Sequence, residues 1–225
     1  MADANPLKAC STTRIFIVDD HALVRRGLTE LISHEPDMEV CGDADDAGTA
    51  LQQVAVLHLD LVVVDISLKS SNGIELIKRI KSHDQKVKVL VSSMHDESLF
   101  AERALQAGAS GYVNKKESTE TVIEAIRKVM DGHVHLSAET TDHLLQQSAR
   151  RHETDLAWSV DRLSDRELEV FELIGNGLGT RQIAERLHLS VKTIETHREH
   201  IKDKLNLHNS AELARNAVHW VMTNS

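Results

Sequence analysis

Four short stretches of the chain carry side chains that could do chemistry together. "RIFIVDDHALVRRG" (14–27) ends an apolar run on two adjacent carboxylates, Asp19 and Asp20. Neighbouring side chains on a strand point to opposite faces and like charges repel, so the pair either caps the helix that follows or holds a cation. "LVVVDIS" runs into Asp65, "VSSMHD" offers Ser92 and Ser93, and "GYVNKKE" offers Lys115 and Lys116. Where these stretches meet, three carboxylates, a hydroxyl and an ammonium converge. Crowded carboxylates repel unless a cation neutralises them, and hard oxygen ligands with an open face suit Mg2+. A carboxylate beside Mg2+, with a hydroxyl and a lysine to steady equatorial oxygens, is what an acceptor of an in-line phosphoryl group requires.

The elements that must position these groups alternate regularly. Short β-rich runs occur at "RIFIV" (14–18), "MEVCG" (38–42), "LVVV" (61–64), "VKVLVS" (87–92) and "GYV" (111–113). Between and after them lie five segments of helical spacing, such as Leu23, Leu28, Leu31 and Ile32, or Val122, Ile123, Ile126 and Val129. Gly108 and Gly111 punctuate a helix end and a strand entry. Five βα units predict an α/β, doubly wound, five-stranded parallel sheet, whose chemistry sits at the carboxyl ends of its strands. The reactive residues fall at those ends.

The chain then changes character. "LSAETTDHLLQQSAR" (136–150) is helical in pattern, "RHETDLAWSVD" (151–161) reads as a polar linker, and only helical patterns follow, opened by the capping box Ser164-Asp-Arg-Glu167. This divides the chain into a domain over 13–133, a linker helix and linker over 134–160, and an all-α four-helix domain over 161–225. Within the last, "TRQIAERL" turns Ile183, Ala184 and Leu187 inward, "HLS" makes a turn, and Ser190 caps the next helix with Thr193 at its third position. On that helix Ile194, Ile201 and Leu205 share a face, while Lys192, Glu195, Thr196, Glu199 and Asp203 point the other way. This is helix–turn–helix logic: the helix N-terminus attracts phosphate and its outward polar groups meet base edges in the major groove.

Composition bounds the rest. The 225 residues are 41% apolar and 27% charged, with a net charge of −9. Residues 178–208 reverse the sign, with six bases (Arg181, Arg186, Lys192, Arg198, Lys202, Lys204) against four acids (Glu185, Glu195, Glu199, Asp203), a pointer to a polyanion. No apolar run approaches the ~20 residues a membrane helix needs. The polar opening "MADANPLKACSTT" reads as a frayed leader of a cytoplasmic protein, and Cys10 and Cys41 make neither a disulfide framework nor a zinc cluster.

On these motifs, residues 13–133 resemble a response-regulator receiver domain. The quoted helical stretches, with "LSDRELEV", "GLGTRQIA", "LSVKTIETH" and "KLNLHN", resemble a LuxR-type helix–turn–helix domain, and together they are similar to the NarL/FixJ class of response regulators. The first resemblance implies a flavodoxin-like fold. It makes Asp65 the phospho-acceptor, and Asp19, Asp20, Asp65 and the Ser67 backbone carbonyl the Mg2+ ligands. Ser93 and Tyr112 become the switch pair and Lys115 the lysine that steadies the phosphoryl group. The second implies binding of double-stranded DNA through Ser190, Lys192, Thr193, Glu195, Thr196, Glu199 and Lys202, with Arg181 and Arg198 as phosphate anchors. His197 fits a core role as well as a DNA contact. Leu213, Ala217 and Trp220 of the last helix serve dimer contacts or core packing. The class further implies a partner sensor histidine kinase and a homodimer formed on phosphorylation. Lys69 stands where the family usually has proline, Gly179 replaces its usual serine cap, and Glu195 and Glu199 occupy places where other members often carry bases.

Enzyme readings fail on particular residues. A haloacid-dehalogenase-like phosphatase needs an Asp two residues after its nucleophile, where this chain has Ser67. A dinucleotide-binding fold needs a glycine-rich turn after the first strand, and "DDHALVRRG" lacks one. The resemblance therefore implies a transcription factor controlled by phosphorylation, and the residues disfavour an enzyme. Its alternative is a phosphorylation-independent regulator whose receiver binds a protein or small ligand.

Overall fold

The computed structural model of the chain describes residues 12–68, 71–150 and 160–224. The leader, Lys69 and most of the 151–161 linker lie outside the described residues. Five strands, β1 (Thr13–Val18), β2 (Met38–Ala44), β3 (Leu61–Val64), β4 (Lys88–Ser93) and β5 (Gly111–Asn114), form one parallel sheet in the order β2-β1-β3-β4-β5. The order reverses beside β1, which puts a crevice at the carboxyl ends of β1 and β3. Strands buried on both faces need continuous apolar runs, and all four residues of β3 are buried.

Helices α1 (Ala22–Ser33), α2 (Ala47–Val54), α3 (Gly73–His83), α4 (Glu97–Ala107) and α5 (Thr119–Met130) cover the two faces. Their starts are written in side chains: Asp46, Asn72, Asp96 and Ser118 each accept a hydrogen bond from the first turn they precede. Gly108 ends α4 at φ 105°, a left-handed conformation that glycine adopts without steric cost. Val122, Ile123, Ile126 and Val129 form the buried stripe of α5, as their spacing predicts. The stripe predicted on α1 needs one correction. Leu28 and Ile32 are buried, but Leu23 is 84% exposed, and Val24 packs on the core in its place.

Helix α6 (Ala138–Arg150) follows, and after it come α7 (Asp165–Gly175), α8 (Thr180–Arg186), α9 (Val191–Leu205) and α10 (Ser210–Asn224). The predicted capping box opens α7: Ser164 Oγ accepts from Glu167 N at 3.3 Å, and Glu167 Oε2 accepts from Ser164 N at 2.7 Å. Leu213 and Ala217 of α10 are fully buried and Trp220 packs on Phe171 with ring centroids 5.5 Å apart, so core packing takes these three residues within the chain. A Cβ on Gly175 would come within 2.5 Å of the Ala217 carbonyl oxygen, so glycine is what lets α7 and α10 approach this closely.

Candidate functional site

The polar residues at the crevice are held by backbone bonds that extend the sheet just past its strands. Asp65 N donates to Val18 O at 2.8 Å, Asp19 N to Ala44 O at 3.1 Å, and Lys115 N to Ser93 O at 2.8 Å. Gly73 closes the other side, where a Cβ would fall 2.0 Å from the Asp65 carbonyl oxygen. Asp19, Asp20 and Asp65 are all buried. Lys115 Nζ lies 2.6 Å from both Asp19 Oδ2 and Asp65 Oδ2. Burial works to lower the Lys115 pKa, but the two carboxylates outweigh it and raise it. Burial pushes the Asp65 carboxyl up, against the pull of Lys115.

Neither member of the adjacent pair is the N-cap of α1. That position belongs to His21, whose side chain makes no capping bond. Ligand atoms of Asp19, Asp20, His21 and Asp65 lie within 4.8 Å of one another, close enough to share a cation. Ser67 N donates to Asp65 Oδ1 at 3.3 Å, so the Ser67 backbone turns around the Asp65 carboxylate. Ser93 and Tyr112 are both buried. Tyr112 Oη donates to His95 O at 3.1 Å, and His95 N donates to Ser93 Oγ at 3.3 Å, so both side chains bind the backbone of one residue.

His95 carries the next connection, which the sequence reading missed. Its Nδ1 is hydrogen-bonded to Glu172, and its Nε2 lies 3.3 Å from Glu169 Oε1 and 2.7 Å from Ser67 Oγ. Ser67 Oγ donates to Glu169, and Arg166 Nη1 donates to Glu169 Oε2 at 2.5 Å. Glu169 is wholly buried, and Glu172 and His95 are nearly so. Burial lowers the His95 pKa, but hydrogen bonds to Glu169 and Glu172 raise it to about 10. Burial likewise raises that of Glu169, and His95 and Arg166 reverse it to about 2. The loops that follow β3 and β4 and helix α7 are thus joined by a buried imidazolium between carboxylates. Around it Arg103 donates to the Val160 and Leu163 carbonyl oxygens at 2.8 Å each, and Lys78 reaches Asp165 at 3.1 Å. One signal in the sequence was available: Glu169 and Glu172 interrupt "LEVFELI", an otherwise apolar run, and all residues from Glu167 to Ile174 are buried.

The helix–turn–helix follows its predicted logic. Ile183, Ala184 and Leu187 are buried, Ser190 Oγ caps α9 by accepting from Thr193 N at 3.0 Å, and Ile194, Ile201 and Leu205 face the core. Lys192, Glu195, Thr196 and Glu199 are exposed on one face, and Arg181 stands exposed on α8. Thr193 and Arg198 are half-buried, as is His197, whose Nδ1 has no hydrogen-bond partner. Lys202 departs from a free contact: its side chain is 15% exposed and its Nζ lies 2.8 Å from Glu199 Oε2. The buried junction through α7 leaves the outward face of α9 open.

Comparison with known proteins agrees with both halves. Residues 15–127 match the family "Response regulator receiver domain", and residues 161–217 match "Bacterial regulatory proteins, luxR family". The oxygen regulatory protein NreC of Staphylococcus epidermidis is 35% identical over 210 residues, spanning 91% of this chain and 96% of its own. A LuxR-family two-component response regulator from Aurantimonas is 35% identical, with a TM-score of 0.58 over 62% of this chain and 99% of that one. RcsB of Salmonella enterica, solved on the rprA promoter with the phosphomimetic BeF3-, shares the fold at 24% identity, with a TM-score of 0.61 over 92% of this chain and 99% of its own. Among the described residues no helix is long and apolar enough to cross a membrane.

Proposed function

Because the chain belongs to the response regulators that join a receiver domain to a LuxR-type DNA-binding domain, a family of transcription regulators and not enzymes, we propose that Asp65 accepts a phosphoryl group from a partner histidine kinase and thereby frees the DNA-binding domain. The phosphorus–nitrogen bond of the donor phosphohistidine breaks as a phosphorus–oxygen bond forms at Asp65. Lys115 holds Oδ2 at 2.6 Å, which leaves Oδ1 as the freer oxygen to attack. Asp19, Asp20, Asp65 and the Ser67 backbone carbonyl are the residues that would hold Mg2+. The three carboxylates are buried and offer oxygens within 4.8 Å of one another, which supports that fit. A bound Mg2+ would neutralise charge on the phosphoryl oxygens.

The observation that carries the reading is the path from Asp65 to α7. Ser93 and Tyr112 are the groups expected to turn toward a phosphoryl group, and both hold the backbone of His95. A dianion on Asp65 also adds negative charge beside the buried Glu169 and Glu172, and like charges in a low-dielectric junction repel. Both effects loosen the His95 contacts. The outward face of α9 is exposed while the domains are docked, so docking restrains where the DNA-binding domain sits instead of covering its reading face. A charge excess this small makes one copy a weak binder, and a freed domain pairs with that of a second copy on two half-sites.

Acetyl phosphate with Mg2+ tests the acceptor. Wild type gains the mass of one phosphoryl group and Asp65→Asn gains none. Equal labelling of the two proteins, read by intact-mass spectrometry, overturns the assignment.

A further inference from the structure

Arg25, in the first turn of α1, binds Asp19 through its backbone. Its Nη1 donates to Asp19 O at 2.6 Å, and its Nε donates to Asp43 Oδ2 near the end of β2. The Arg25 side chain is 17% exposed, whereas Arg26 beside it stands in solvent. We propose that Arg25 is a positioning residue for the Mg2+ site, an inference that rests on Asp19, Asp20 and Asp65 holding that ion. It fixes the turn that carries Asp19 and Asp20 and leaves their carboxylate oxygens to the cation.

The Asp19 residue is gripped from β2 at both ends. Its N–H donates to Ala44 O at 3.1 Å, and its carbonyl accepts from Arg25, which Asp43 of the same strand holds. In the sheet Asp43 lies opposite Ile17 and Ala44 opposite Val18, so the turn after β1 is set against a paired strand. The usual device is missing here. Side-chain caps open α2, α3, α4 and α5, but His21 makes no capping bond to α1. Other bonds that Asp19 makes use the oxygens a cation needs: Oδ1 accepts from His21 N at 2.8 Å, and Oδ2 pairs with Lys115 at 2.6 Å. A bond to the Asp19 carbonyl competes with neither. The guanidinium suits this task because its planar fork can hold a carbonyl and a carboxylate at once, whereas a lysine is a point charge on a flexible stem.

Charge by itself would act with the opposite sign. A guanidinium near a cation site repels the cation, so removing it would tighten binding if charge were its whole effect. Loss of a positioning partner weakens binding instead. Arg25→Met removes both the charge and the fork, and Arg25→Lys keeps the charge and removes the fork. The full chain, stripped with a chelator, is titrated with Mn2+ alone, and free Mn2+ is read by electron paramagnetic resonance. The wild type binds one Mn2+, and both variants bind it about tenfold more weakly, the scale on which metal sites respond to lost support. In labelling by acetyl phosphate, the Mg2+ needed for half the maximal rate rises by the same factor, while the rate at saturating Mg2+ stays close to that of the wild type. Urea denaturation of the same samples separates a purely structural role, which lowers the midpoint without moving Mn2+ affinity. Affinity equal to or above that of the wild type in either variant overturns the role of Arg25. A wild type that binds no Mn2+ overturns the Mg2+ site itself, and the role of Arg25 falls with it.

Discussion

The acidic pocket at the strand ends and the outward face of α9 are both polar and both rich in charge, but their side chains are held differently. In the pocket each group is buried and has its position set by another: Lys115 lies between Asp19 and Asp65, and Ser93 and Tyr112 both bind the His95 backbone. On α9, Lys192, Glu195 and Glu199 stand in solvent, and the bond Thr196 makes is to the Lys192 carbonyl of its own helix. Charges taken out of water must be matched by partners in the same molecule, so a buried site is completed by its own residues. An exposed reading face is completed only by DNA. The first kind of site fails by losing a partner, the second by losing discrimination.

Removing the central cation of the pocket is the most severe way to break that comparison. Lys115→Met leaves Asp19 and Asp65 facing each other in a buried site, and losing one partner of a buried ion pair costs about 3–5 kcal/mol. Urea denaturation should show that loss, and added Mg2+ should recover part of it. Full stability in this variant would mean that the pocket is no more interdependent than the surface.

The junction at α7 comes next. Glu169→Gln with Glu172→Gln keeps the shapes and removes the charges around His95. Unphosphorylated protein carrying both should bind DNA with paired half-sites about tenfold more tightly, worth about 1.4 kcal/mol. Binding to a single half-site should stay unchanged, because the α9 face is already exposed. A gain on the single site as well would show that docking covers the reading face.

The reading face itself should give smaller and more selective effects. Glu195→Ala should bind random DNA at least as well as wild type, since a carboxylate near phosphates costs energy. It should discriminate less at one base pair of each half-site, by about 1–3 kcal/mol. Competition binding at fixed salt over singly substituted operators reads both, and an unchanged preference profile removes Glu195 from the groove. Lys202→Ala should change little, less than about 1 kcal/mol in DNA affinity, because its ammonium is already engaged by Glu199 at 2.8 Å. A large uniform loss of affinity would make Lys202 a phosphate anchor.

Much of the pocket is legible in the order of residues along the chain. Asp19, Asp65 and Lys115 follow short apolar runs, Ser93 sits where one ends, and a parallel sheet gathers such ends on one rim. The cap at Ser190 and the buried Ile194, Ile201 and Leu205 are legible for a similar reason, since 3.6-residue spacing and capping chemistry act over a few positions. Leu23 is misplaced by the same spacing because periodicity defines an apolar stripe without defining its edge, and Val24 lies closer to the sheet.

What the sequence alone determined, then, is what depends on neighbours along the chain: the strand ends, the caps, the inward faces, and the residue types able to accept a phosphoryl group. Tertiary structure decided which charges are buried. Glu169 and Glu172 read as surface acids on a helix until α7 docks against a loop far away in the chain. Glu172 meets His95 across 77 positions, and Glu169 meets Ser67 across 102. It also settled that Asp20 is not the cap of α1, and that Leu213 and Ala217 fill this chain's own core. The physical reason is common to all of them. A side chain's chemistry is carried by its type, whereas its burial and its charge state depend on partners that only the folded chain brings within a few ångströms.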